Sequence, residues 1–343
     1  MHVLLALLML GVLITVHEAG HFLAARLCGI EVQEFAMGMG PALISKTSKR
    51  GTRFSLRLLP IGGFCQFYGE DEDTGDGQSF NDYPVWKRAL TVVSGPLMNF
   101  ILAVAVIVVY LSLWGLPTVT PRVAELESNA QMAGLMVGDE ILYVNGVEVV
   151  DTTTVTQAVS ESAGSEVTLT VSRGGETVDV VIPPFYDEAA GRYRVGFTFA
   201  QERVRVSLWQ SFPFSVRYNL ESATLIVDTL RKLVTTGEGA SEVTGPVGTV
   251  YVIQEATQQG GMDIFLEMAA MISVNLGVMN LLPIPGLDGS RLLFLLVEGI
   301  RRKPVKRELE GAIHFAGLVL LMGLMVVLVY KDVLTIVSGG FGF

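Results

Sequence analysis

Hydrophobic and polar positions are distributed very unevenly along this chain. Four long apolar runs lie towards its two ends and around residue 100. The first covers about Val3 to Leu27, beginning VLLALLMLGVLITV. The second covers Ala89 to Trp114. The third starts near Ile264 and passes Leu293, broken in its middle by LLPIPGLDG. The fourth runs from Gly311 to Tyr330. Each supplies the ~20 mostly apolar residues that a bilayer helix needs. The expected fold class is therefore an α-helical multi-spanning membrane protein of about four transmembrane helices.

Between the second and third runs the pattern changes. Residues 118 to 200 read as a small soluble, β-rich insert. Candidate strands are Glu140–Val144, Val167–Ser172 and Thr177–Ile182, punctuated by Asn145-Gly146 and Gly174-Gly175. A short helix is expected over 152–163. Residues 203 to 236 follow as a mixed amphipathic helix, suited to the membrane surface or to packing on the insert. The loop between the first two runs contains FSLRLLPIGGFCQFYGED, Phe54 to Asp71. Its partial alternation and its turn signals at Pro60 and Gly62-Gly63 predict a β-hairpin dipping into the membrane region. Strand backbone in lipid is costly, so that hairpin must lie against protein or a wet cavity. The segments expected are 1–114, 115–202, 203–262 and 263–343.

Composition agrees with this reading. Of 343 residues, half are hydrophobic and 17% charged. The net charge of -10 argues against a nucleic-acid partner, which needs a basic face. Cys28 and Cys65 have no CxxC spacing and read as free, buried thiols. A signal peptide is a poor account of the first run, which has no basic start and leads into HEAGH. Lys and Arg cluster between runs one and two and between runs three and four, as in Lys46, Lys49, Arg50 and Arg301, Arg302, Lys303. Both short loops are thus expected in the cytoplasm, with the insert outside an inner, plasma-type membrane.

The chemistry sits inside the apolar runs. His17-Glu18-Ala19-Gly20-His21 places two imidazoles one helical turn apart, on one face, where they reach a single metal ion. Glu18 is placed to take a proton from a water activated by that metal. Ionisable residues inside a span are rare and usually functional. A catalytic zinc site needs a third protein ligand. His2 is at the wrong end of its span, and His314 begins the fourth run beside a basic loop. Asp288 is the better candidate. It is an acid in a hydrophobic segment, just after two prolines that make the backbone irregular, as at membrane-embedded sites. A structural Asp288–Arg291 pair is the competing reading. With the N-terminus outside, His17 lies ~24 Å into a ~30 Å core, and Asp288 lies about as far along the third run.

HEAGH, Ser94-Gly95-Pro96-Leu97-Met98-Asn99 and NLLPIPGLDG, in this order, resemble the site-2 protease family, most nearly the bacterial regulator-of-sigma-E-protease type. The resemblance spans nearly the whole chain. It implies Zn2+, peptide hydrolysis within the membrane, metal ligands matching His17, His21 and Asp288, and a base matching Glu18. It also implies that Asn280 and Asn99 help position substrate or stabilise the oxyanion. Implied substrates are single-span membrane proteins such as anti-sigma factors, or signal-peptide remnants. The insert resembles a PDZ domain through AGLMVGDEIL, starting at Ala133, and Val144-Asn145-Gly146. Relatives with two tandem PDZ domains differ, because there is room for one here. Such a domain either binds chain ends by strand addition or restricts access by bulk. A membrane metal transporter using the same ligands and a non-catalytic PDZ-bearing scaffold are the rival functions.

Overall fold

The computed structural model describes residues 2–70, 77–188, 191–239 and 243–339, so Asp71 lies outside the described residues. The chain forms two compact units, residues 1–110 with 207–343, and residues 111–206.

The first unit is helical around a small sheet. Helix α1 (His2–Cys28) buries Ala6, Met9, Leu13, His17, Gly20, His21 and Ala24. That three-and-four spacing is one stripe of a helix, and the two histidines stand on it among small and aliphatic residues. The strands β1 (Val32–Thr47) and β2 (Arg53–Phe67) follow. Helix α2 (Val85–Trp114) is the second long apolar helix.

Four described helices are long and apolar enough to cross a membrane: α1, α2, α6 (Pro246–Leu281) and most of α8 (Arg307–Val337). The third, α6, is two helical stretches that meet at Gly261, whose φ of 78° is non-helical. The second stretch begins beside the expected start near Ile264, and it ends at Leu281, where the expected break LLPIPGLDG begins. Pro283 and Pro285 deny main-chain donors to any continuation. Asp288 opens a separate amphipathic helix, α7 (Asp288–Arg301). Buried Asp332 of α8 accepts from the main-chain N–H groups of Gly245 and Gly248, at 3.0 and 2.7 Å, and so caps the start of α6.

The hairpin expected over Phe54–Asp71 is also corrected. Both β1 and β2 bend, and Phe35 of β1 is paired with Cys65 on one side and Phe54 on the other. The two halves of β2 therefore never pair with each other. The segments lie in the order 42–47, 53–57, 32–37, 63–67. A long apolar loop folds on itself only if each strand finds a partner, and residues 32–37 supply it. Segment 63–67 has no strand on its outer edge among the described residues.

The second unit contains β3 (Leu116–Leu126), α3 (Ser128–Met132), β4 (Glu140–Val144), β5 (Val147–Glu148) and α4 (Thr152–Glu161). The strands β6 (Val167–Arg173), β7 (Glu176–Ile182), β8 (Phe185–Asp187), β9 (Arg192–Arg194) and β10 (Phe197–Val204) complete it. Its main sheet has the order β10-β3-β4-β6-β7, with β5 beside β4. The core is aliphatic: Ile141, Val144, Val155, Leu169, Val171 and Ile182 are all but sealed. Asp151 caps α4 by accepting from the Thr154 N–H. Beyond this unit, α5 (Leu208–Thr236) begins with a Ser207–Gln210 capping box and exposes Trp209, Leu220, Leu225 and Val234. Of the two cysteines, Cys28 is buried and Cys65 half-buried, and both are free.

Candidate metal centre

Three side chains from two remote stretches of sequence meet in the first unit. His17 Nε2 lies 3.0 Å and His21 Nε2 3.3 Å from Asp288 Oδ2. The two histidine nitrogens are 3.2 Å apart. Among the described residues this is the grouping of three or more metal-binding side chains that converge, with ligand atoms within 4.8 Å of one another.

Close helix approach makes the meeting possible. A Cβ on Gly20 would stand 2.2 Å from the Ser94 carbonyl oxygen, and one on Gly95 2.3 Å from His21 Nε2. Both distances are below any real contact, so the glycines of HEAGH and SGP let α1 and α2 touch with the His21 ring between them. On the other side, Gly289 packs directly beneath the Leu281 and Leu282 carbonyls, closing the turn that returns Asp288 to α1. The Gly286 N–H donates to His314 Nδ1 at 3.3 Å, steadying the same turn. Arg88 of α2 ties α7 in place through a two-pronged pair with Glu298.

The site's surroundings fix proton positions. His21 Nδ1 is 3.0 Å from the Thr91 carbonyl. A carbonyl only accepts, so Nδ1 carries the proton and Nε2 presents a lone pair towards Asp288. Asp288 Oδ2 is buried, and its nearest polar neighbours are the two imidazole Nε2 atoms. The His21 Nε2 lone pair and the carboxylate oxygen thus face one another. Tetrahedral zinc with ligand bonds of about 2.0 Å would hold its ligands about 3.3 Å apart. The observed separations of 3.0–3.3 Å match that spacing, and the two-nitrogen, one-oxygen donor set suits the same ion.

A cavity of about 590 Å³ opens beside the triad, lined among others by Glu18, Cys65, Asn280 and Arg291. Glu18 packs against segment 63–67, where a Cβ on Gly63 would stand 3.5 Å from its Cγ. Asn280 borders this cavity. Asn99 does not. It is fully buried, with Nδ2 3.1 Å from His17 Nδ1. Asn99 therefore stands behind His17 and not in the cavity wall. Arg291 pairs with Glu70, not with Asp288, which removes the structural Asp288–Arg291 pair. Sequence reasoning missed Thr91, Glu70 and the support from His314. A main-chain carbonyl has no sequence signature, and only the basic loop near His314 was visible.

A model of peptidase family M50 matches residues 5–324. The chain belongs to this peptidase family. Zinc metalloprotease RasP of Shouchella clausii is 33% identical over 416 aligned positions, covering 97% of this chain and 99% of that protein. Regulator of sigma-W protease RasP of Bacillus subtilis is 29% identical, covering 95% and 97%. The first alignment is longer than this chain's 343 residues, so that relative carries inserted residues absent here. As an M50 peptidase the chain is a metalloprotease, with a membrane-spanning helical architecture. The transporter and scaffold alternatives have no support from these relatives.

Proposed function

We propose that this protein is an intramembrane zinc metalloprotease in which His17, His21 and Asp288 hold the metal and Glu18 is the general base. The observation that carries the reading is the convergence of two imidazole nitrogens from the buried stripe of an apolar helix with one carboxylate oxygen, at tetrahedral spacing. The names of the RasP relatives support zinc.

When bound, zinc acidifies water and polarises a carbonyl. Glu18 accepts the proton of the attacking water on its carboxylate and returns it to the leaving amide nitrogen. The Asn280 amide, at the cavity wall, donates to the carbonyl oxygen as it becomes negative. Segment 63–67 receives the unwound substrate as an added strand, its free main-chain groups pairing with the peptide. Unwinding is required because carbonyls in a helix are already hydrogen-bonded and shielded. Single-span membrane proteins such as anti-sigma factors, and signal-peptide remnants, are the substrates. The name of the Bacillus subtilis relative supports the former.

The basic loops lie in the cytoplasm and the β-rich unit outside the cell membrane, as the Lys and Arg asymmetry supports. Cysteines placed at Lys49 and Lys303 in a cysteine-free background would react only from the cytoplasmic side; outside labelling at Lys49 inverts the arrangement. The β-rich unit is PDZ-like. A cavity of about 320 Å³ between α4 and the free edge of β10, lined by Val155, Val159, Phe197 and Phe199, supports docking of an apolar chain end. Deleting residues 118–200 separates this from exclusion by bulk. A docking role predicts slower cleavage of every substrate, whereas a size filter predicts that substrates with large outer domains gain.

The central test compares zinc content with cleavage of a single-span substrate. Glu18→Gln retains zinc and loses activity by about 10²–10⁴-fold. His17→Ala, His21→Ala and Asp288→Asn each lose zinc. Full metal and activity in Asp288→Asn would remove the third ligand and with it the proposed site.

A further inference from the structure

Asn99 has no part in the mechanism above, yet it is sealed in the protein beside the first histidine. It is 0% exposed, its Nδ2 stands 3.1 Å from His17 Nδ1, and its Oδ1 has no partner. A buried carboxamide oxygen left unpaired is unfavourable, so the arrangement needs an account. The main chain at this position is fixed independently. Ser273 Oγ of α6 donates to the Asn99 carbonyl at 2.8 Å, pinning this turn of α2 against α6.

The two ends of a carboxamide exchange places by a half-turn, and the hydrogen-bond network decides between them. With Nδ2 donating to His17 Nδ1, the imidazole proton sits on Nε2, the atom that faces Asp288 and His21. With the amide turned over, Oδ1 accepts from Nδ1–H, and Nε2 presents its lone pair. His21 already shows the second arrangement, with the Thr91 carbonyl as acceptor. A ligand pair is complete only when His17 matches it. We propose that Asn99 is the positioning residue for His17. Its Oδ1 accepts a hydrogen bond from Nδ1–H and holds the ring as an Nε2 ligand.

This assignment explains why the residue is an amide. A carboxylate would add a charge in a buried, apolar setting, where its desolvation is unfavourable. An aliphatic residue would fill the space and leave the tautomer unset. The inference rests on His17 being a ligand, as proposed above.

The test uses the full-length protein in detergent. Zinc affinity is measured by chelator competition, and the ligand field by the visible spectrum of the cobalt-substituted protein. Asn99→Leu is expected to weaken zinc binding 10–100-fold, the usual cost of losing a histidine's outer partner, and to alter the cobalt bands. Asn99→Asp, which keeps the acceptor, is expected to stay within about threefold of wild type. Ser273→Ala, which loosens the same turn without touching the imidazole, is expected to bind zinc normally. Wild-type affinity in Asn99→Leu overturns the inference, as does an equal loss in Ser273→Ala. These two variants decide the matter even if Asn99→Asp fails to fold. If His17→Ala also keeps its zinc, the metal site itself is wrong; if His17→Ala loses zinc and Asn99→Leu does not, only the role of Asn99 falls.

Discussion

The two units of this chain are built inside out from one another. In the β-rich unit the buried core is mostly Val, Leu and Ile, with Asp139 the buried charge among the described residues. In the helical unit the buried set includes His17, His21, Asn99, Ser273 and Asp332, while Leu320, Val326, Phe315 and Leu318 of α8 are exposed. Water rewards the first arrangement, because hiding apolar area is favourable there. Hydrocarbon gives no such reward, since lipid tails are as apolar as leucine. It favours instead close helix approach and complete pairing of polar groups. That is why glycines, and not large aliphatics, sit where α1 meets α2. An ion-binding site fits such an interior readily, because polar side chains are already gathered at its centre.

This contrast can be broken experimentally, and the largest effect is expected in the aliphatic core. Leu169 is fully buried. Leu169→Ala should cost about 2–5 kcal/mol, read by denaturant unfolding of a fragment of residues 115–206, while zinc binding by the full chain persists. Loss of zinc would mean that the two units are not independent in stability. The next test concerns the exposed faces. Leu320→Arg, in the middle of α8, should oppose membrane insertion by about 2.5–3.5 kcal/mol. Val150→Arg, equally exposed in the β-rich unit, should change stability by less than about 0.5 kcal/mol. The insertion efficiency of Leu320→Arg in a translocation assay separates a lipid-facing surface from a watery one.

The smallest effect involves the buried charge in the β-rich unit. Burial pushes the Asp139 carboxyl up, but hydrogen bonds from Arg173 and the Met136 N–H outweigh it and hold the group below its ordinary value. A lowered folded value contributes stability that is present above about pH 4 and lost as pH falls through the folded value. Arg173→Ala should therefore lower the melting midpoint of the 115–206 fragment by several degrees at neutral pH. Its difference from wild type should shrink on acidification. A difference that stays constant with pH would assign Arg173 to packing and not to charge.

Much of this was legible in the chain alone. Apolar run length predicts the spans, because a bilayer demands about twenty residues whatever surrounds them. Alternation and Asn-Gly or Gly-Gly turns predict β4, β6 and β7, because both signals are local. HEAGH predicts a pair of ligands because four residues make a turn. The strand order around 32–37 was not legible, since pairing across a bent ribbon depends on which partner each edge meets. Nor was the course of the chain beyond the break at Leu281, because the prolines mark the interruption but not the direction that follows it.

The sequence by itself determined which side chains are candidates for the chemistry and which apolar runs carry them, because residue type and helical spacing are set within a few turns. Only the tertiary structure decided that Asp288 turns back onto α1, that Arg291 takes Glu70 as its partner, and that Asn99 stands behind His17 instead of in the cavity. Those outcomes depend on contacts between residues about 80 to 270 positions apart in the chain. They are settled by where glycines let helices touch and by which buried polar group each neighbour can satisfy.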